Sequence, residues 1–181
     1  MEMEVIKTDI PGVLILEPKV FRDSRGYFFE SFSERDFRRL TGLDVEFVQE
    51  NQAKSDYGVL RGLHFQKGEH AQAKLLRVVV GKVLDIGVDI REGSPTYGRH
   101  ISVELSADNF RQLYLPRGFA HGYAVLSDTV IFQYKVDNYY CPESEGAIIW
   151  NDPDLAIDWR LDPDDIILSD KDRRNPTFRE L

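Results

Sequence analysis

With 181 residues, 42% of them apolar and 30% charged, the chain is long enough to bury one sizeable core and too ordinary in composition for a disordered or fibrous protein. A net charge of -8 argues against general nucleic-acid binding, since a phosphate-backbone reader concentrates positive charge, and no apolar run is long enough to span a bilayer. Cys141 is the only cysteine, which excludes an internal disulfide and a cysteine-held metal cluster. The acidic start Met1–Glu4 is unlike a secretory leader, so the reading is a cytoplasmic chain folding as one domain over residues 1–181.

A first strand is predicted over 13–18 and a second over 27–31, within an N-terminal arm whose Phe21, Tyr27, Phe28 and Phe29 would expose apolar surface if left alone. Exchange of this arm with a second subunit is the expected remedy. One short helix follows. Ser33 stands as its N-cap, Asp36 falls three residues on in capping-box spacing, Phe37 and Leu40 share one side, and Gly42 stops it. Further runs rich in Val, Ile, Phe and Tyr, bounded by Gly, Pro, Asp or Asn, read as strands over 46–51, 58–65, 73–80, 83–89, 100–105, 111–115, 121–126, 130–136 and 147–150. Short turns are expected near 106–110 and 164–168. With tight connections and no helix long enough for a βαβ crossover, the class is all-β, a closed barrel or jelly roll with a few short helices.

Two glycine-bounded segments carry histidines: Arg61-Gly62-Leu63-His64-Phe65-Gln66, and Pro116-Arg117-Gly118-Phe119-Ala120-His121-Gly122. The second has the Pro-x-Gly-x-x-His spacing of cupin barrels, where it resembles a metal-ligand motif. The first departs from that pattern. It has no His-x-His pair and no acidic ligand, and Lys74 follows downstream. Two histidines beside two cations fall short of the three or so protein ligands that zinc or non-haem iron needs, so no metal is expected. A neutral histidine can instead act as base near neutral pH, a lysine can hold charge on an oxygen, and a tyrosine can give a proton from another face. Those three roles together describe enolisation beside a carbonyl. His70 and His100 fall outside every motif and read as surface residues. The Tyr139-Tyr140 pair suits base stacking and strand packing equally.

The segments Asp23-Ser-Arg25-Gly26-Tyr-Phe28-Phe-Glu30, Gln49-Glu-Asn51, Arg61-Gly-Leu-His64, Lys74, Pro116-Arg-Gly-Phe-Ala-His121-Gly, Gln133-Tyr134-Lys and Ser169-Asp-Lys171-Asp172 occur in that order. From about Ile10 to Asp172 the chain thereby closely resembles the dTDP-4-dehydrorhamnose 3,5-epimerases, cupin-type jelly rolls. The resemblance implies that His64 removes the protons at C3 and C5 of a dTDP-4-dehydro-6-deoxyglucose, with Asp172 behind it. Tyr134 is then the acid and Lys74 faces the C4 oxygen. Arg61, Gln49, Asn51 and His121 would hold the sugar and diphosphate, with Asp85 orienting His121. Arg25, Phe28, Glu30, Glu145 and Lys171 would form the nucleotide end, the first three reaching from a neighbouring subunit. The family further implies a homodimer, no cofactor, and a product feeding cell-surface polysaccharide. Inversion at one carbon only, a shift of the ketone, a metal cupin and a non-catalytic binding module are the alternatives.

Overall fold

The computed structural model describes residues 3–181, so Met1 and Glu2 of the acidic start lie outside it. Along the chain run strands β1 (Glu4–Lys7), β2 (Leu14–Glu17), β3 (Phe21–Asp23) and β4 (Gly26–Phe28), then helix α1 (Glu34–Thr41). After the helix come β5 (Gln49–Asp56), β6 (Leu60–Gln66), β7 (Lys74–Val80), β8 (Lys82–Asp89), β9 (His100–Ser106), β10 (Gln112–Leu115), β11 (Phe119–Val125), β12 (Thr129–Val136) and β13 (Glu145–Ala147). They build an antiparallel six-stranded sheet in the order β1-β2-β10-β7-β12-β5 and a five-stranded sheet in the order β13-β6-β11-β8-β9; β3 and β4 form a separate hairpin. Chain neighbours repeatedly land in opposite sheets, and this makes the barrel a jelly roll.

Because successive strand residues point to opposite faces, each strand feeds two layers. Inward-facing Leu76, Val78, Leu113, Leu115, Val130 and Phe132 of one sheet meet Val83, Leu105, Phe119, Tyr123 and Val125 of the other. On the outer face of the six-stranded sheet, Leu75 and Tyr114 pack under Phe37 of α1. On the outer face of the five-stranded sheet, Leu84, Ile86, Val88 and Ala124 are covered by Ile148, Leu155 and Trp159 of the C-terminal segment. Each fully buried Leu or Ile here is worth about 1.5–3 kcal/mol over an exposed one. Among the described residues no helix is long and apolar enough to cross a membrane.

The helix forms where its end signals predict: Asp36 N donates to Ser33 Oγ at 3.3 Å, and Gly42 adopts φ 72° with its N–H on Arg38 O. The reciprocal half of the capping box is not made, because the Asp36 carboxylate instead accepts from Arg35 and Arg39. Three strand assignments shift. The strand predicted over 46–51 is β5 at 49–56, since Phe47 leaves the sheet to pack edge-on against Phe32 and Phe37 while the polar run after it pairs with β12. The run predicted at 147–150 is β13, which ends at Ala147. The arm strand expected over 27–31 ends at Phe28, beyond which Phe29 packs edge-on against Phe110. Strands β1 and β3 carry too few apolar residues to stand out in the sequence. Phe21, Tyr27 and Phe28 are exposed, as the arm reading expects. Near 164–168 a single tight turn forms at Pro163–Asp165.

Candidate active site

In a regular strand Arg61 and His64, three residues apart, would face opposite ways. They do not, because the register against β11 slips. Arg61 lies opposite Tyr123 and His64 opposite His121, leaving Gly62 and Leu63 to face the single residue Gly122. This bulge resets the alternation. Arg61, His64, His121 and Tyr123 all line one cavity, while Leu60 and Leu63 turn to the outer apolar layer. Only glycine fits the crossing. Gly62 has φ +124°, and a Cβ there would lie 2.5 Å from Gly122 Cα; one on Gly122 would lie 2.7 Å from Arg61 O.

The cavity holds about 570 Å³ and opens between the sheets. On one wall His64 Nε2 donates to Asp172 Oδ1 at 2.6 Å, which leaves Nδ1 as the unprotonated nitrogen of the neutral ring. Asp172 comes from the C-terminal segment, which lays Ile167, Leu168, Ser169 and Lys171 along the same cavity. Burial opposes the ionisation of Asp172, but His64, Ser169 and Asn175 outweigh it and hold the carboxyl below the ordinary range. Opposite stands Lys74, buried at the start of β7, where desolvation pushes its pKa down to about 8 against the pull of Asp85. Its Nζ lies 5.9 Å from the ring centre of Tyr134. Burial raises the Tyr134 phenol, while Asn51, its cross-strand partner on β5, and the charge of Arg61 draw it back.

A second imidazole–carboxylate pair lies deeper. His121 Nε2 donates to both oxygens of Asp85 at 3.1 and 3.0 Å. Both groups are sealed, and burial drives each toward its neutral form, the imidazole down and the carboxyl up. Each imidazole thus spends a ring nitrogen on a carboxylate, and among the described residues no three His, Cys, Asp or Glu side chains cluster as a metal site would require.

At the mouth Arg61 Nε donates to Ser55 Oγ, and Lys171 Nζ meets Glu145 Oε1 at 2.6 Å. Gln49 and Asn51 stand beside the cavity on the same face of β5, joined by a 2.9 Å hydrogen bond from Gln49 Nε2 to Asn51 Oδ1. Arg25 and Phe28 line a separate groove in the β3–β4 hairpin, where Arg25 pairs with Asp23; Glu30 follows that hairpin, away from the cavity walls. Within one chain these three therefore do not join the site. Sequence reasoning missed Ser55, Gln72 and Tyr123, on the cavity wall or beside it, and leaves Tyr140 open between base stacking and strand packing. Tyr140 is a rim residue and not strand packing: its hydroxyl donates to Glu145. His70 is half-buried, paired with Ser144 Oγ, and His100 is half-buried too, so neither is the plain surface residue expected.

A held imidazole, a buried ammonium and a phenol around one jelly-roll cavity define an acid–base enzyme of the cupin class, suited to moving protons on carbons beside a carbonyl. Comparison with known proteins narrows the class. The sequence profile of dTDP-4-dehydrorhamnose 3,5-epimerase matches residues 7–180, and the chain belongs to that family. It is 59% identical to dTDP-4-dehydrorhamnose 3,5-epimerase of Salmonella typhimurium, over 87% of this chain and 86% of the relative. The crystal structure of the Elizabethkingia anophelis enzyme of the same name superposes with a TM-score of 0.95 at 53% identity, covering 99% of this chain and 98% of that one. The Legionella pneumophila dTDP-6-deoxy-D-glucose-3,5-epimerase, solved in complex with dTDP-4-keto-L-rhamnose, gives 0.94 at 47% identity over 98% and 94% of the two chains.

Proposed function

We propose that this chain inverts C3 and C5 of dTDP-4-dehydro-6-deoxy-D-glucose, giving dTDP-4-dehydro-L-rhamnose for dTDP-rhamnose synthesis. The observation that carries the reading is the convergence of the His64–Asp172 pair, Lys74 and Tyr134 on one cavity. Both inverted carbons flank the C4 ketone, so one set of groups can serve both. His64 takes the proton, and the electron pair of the broken C–H bond moves onto the C4 oxygen, where the Lys74 ammonium meets the negative charge. Asp172 steadies the imidazolium so formed. Tyr134 then delivers a proton to the other face of the same carbon. Each inversion moves one proton from Tyr134 to His64, and exchange with water restores both groups before the next.

Arg61, Gln49, Asn51 and His121 are assigned to the sugar and diphosphate, and Glu145 and Lys171 to the nucleotide. Arg25, Phe28 and Glu30 complete that end from a second subunit in a homodimer that exchanges its arms, a reading supported by the exposure of Phe21, Tyr27 and Phe28 on the hairpin. We assign the activity to one domain in the cytoplasm, with no cofactor in the proton-transfer steps.

The test is turnover in heavy water followed by NMR. Deuterium should appear at both C3 and C5 of the product, with the L-rhamno configuration. Label at one position alone would reduce the reading to a single inversion, and a folded sample that labels neither would overturn it.

A further inference from the structure

Tyr123 lies on β11 opposite Arg61, two residues from His121. Its ring stacks on Phe132 at 4.4 Å between centroids, an apolar role that a phenylalanine would fill equally well. The hydroxyl is what needs explaining. Tyr123 is 4% exposed and lines the catalytic cavity, yet its oxygen has no hydrogen-bond partner among the described residues. Ser55 Oγ lies near enough to the phenol to draw its pKa down, but it already accepts from Arg61 Nε at 3.1 Å, and its approach to the phenol falls outside hydrogen-bond geometry. A buried donor left unpaired destabilises the empty protein. Apart from Arg38 Nε, it is the one such side-chain atom among the described residues, and the only one of the two beside the cavity.

From this we infer that the Tyr123 hydroxyl is a substrate-binding donor whose partner arrives with the sugar, and that the partner is the C2 hydroxyl. The choice of oxygen follows from the reaction proposed above, on which this inference rests. A donor fixed on a sheet strand can hold only an oxygen that keeps its place through both inversions. The C3 hydroxyl changes face when its carbon inverts, and the C4 oxygen is met by Lys74. The C2 hydroxyl stays. It also neighbours C1 and the diphosphate, on the side where Arg61, the cross-strand partner of Tyr123, is assigned.

The experiment compares wild type and Tyr123→Phe, each with the full substrate and with an analogue lacking the C2 hydroxyl. It follows deuterium incorporation, thermal unfolding of the empty protein and dTDP affinity. Tyr123→Phe should lower kcat/KM about tenfold, as expected for one lost hydrogen bond, leave dTDP affinity unchanged, and raise Tm by about 2–4 °C because the orphan donor is gone. Wild type should lose a similar factor on the analogue, and the variant should lose no more, since both changes remove the same contact. Wild-type kcat/KM for the variant on the full substrate would overturn the assignment while leaving the epimerase reading intact. So would losses that multiply. If the variant failed to fold, wild type acting equally on both substrates would still overturn it. A wild type that labels neither carbon would remove the reaction and this inference together.

Discussion

Two histidine–aspartate pairs face each other across one rung of the five-stranded sheet, and they are built for different work. The His64 side chain is one-third exposed, and its aspartate arrives from the far end of the chain; His121 is 8% exposed and its Asp85 partner is fully sealed on the neighbouring strand. Asp172 is held ionised, ready to stabilise an imidazolium, whereas burial favours the neutral forms of both His121 and Asp85. The lesson is that a histidine next to a carboxylate is not by itself a base. Access to solvent protons and a charged partner make one, and their absence makes a fixed hydrogen-bonding wall.

Exchanging the two pairs' roles is the strongest way to break this contrast. His64→Ala should cost on the order of 10³-fold in kcat while leaving dTDP affinity nearly intact. His121→Ala should act mainly through KM. Equal loss of kcat in both variants, by steady-state assay of product formation, would erase the distinction.

Removing each carboxylate sharpens it further. Asp172→Asn should lower kcat about 10²-fold, and Asp85→Asn should lower it by less than about tenfold. Asp172 carries a stability signature too. Its folded pKa lies below that of the unfolded chain, so its stabilising effect is present above the ordinary carboxylate range and lost as pH falls through the folded value. Urea titrations of wild type and Asp172→Asn should therefore begin to converge only as pH falls below about 4.

The smallest effect concerns the residue next to the deeper pair. Lys74, at about 8 when folded and 10.5 when free, binds fewer protons in the folded state between those values, so stability should rise with pH across that window. Over the same window kcat/KM should fall, as the ammonium that meets the enolate is lost. A kcat/KM that stayed flat from pH 7 to 10 would detach Lys74 from the chemistry.

Much of this was open to reading from the chain. The helix carried its own start and stop at Ser33 and Gly42, and apolar runs marked the strands that fill the core. The polar strand Gln49–Asp56 was partly missed because its inner face lines a cavity and not a core, so it lacks the apolar alternation by which strands are recognised. His64 and Asp172 are 108 residues apart, and no local pattern joins them; the family motifs did. Tyr123 and Ser55 escaped notice for a related reason. A tyrosine on an apolar strand reads as packing, and only the cavity beneath its hydroxyl shows what packing leaves unsatisfied.

The slipped register at Gly62 has one more consequence. Upstream of it, the identity of every inward side chain depends on a residue count. Flattening the bulge with Gly62 kept in the chain would act as a frameshift in space: Gly62 would move opposite Tyr123, Leu60 would turn inward, and the Arg61 guanidinium would be driven into the greasy layer beneath Trp159. Side chains around this site can be exchanged one at a time, but Arg61 and His64 share the cavity only while the extra residue crosses Gly122 with no side chain of its own.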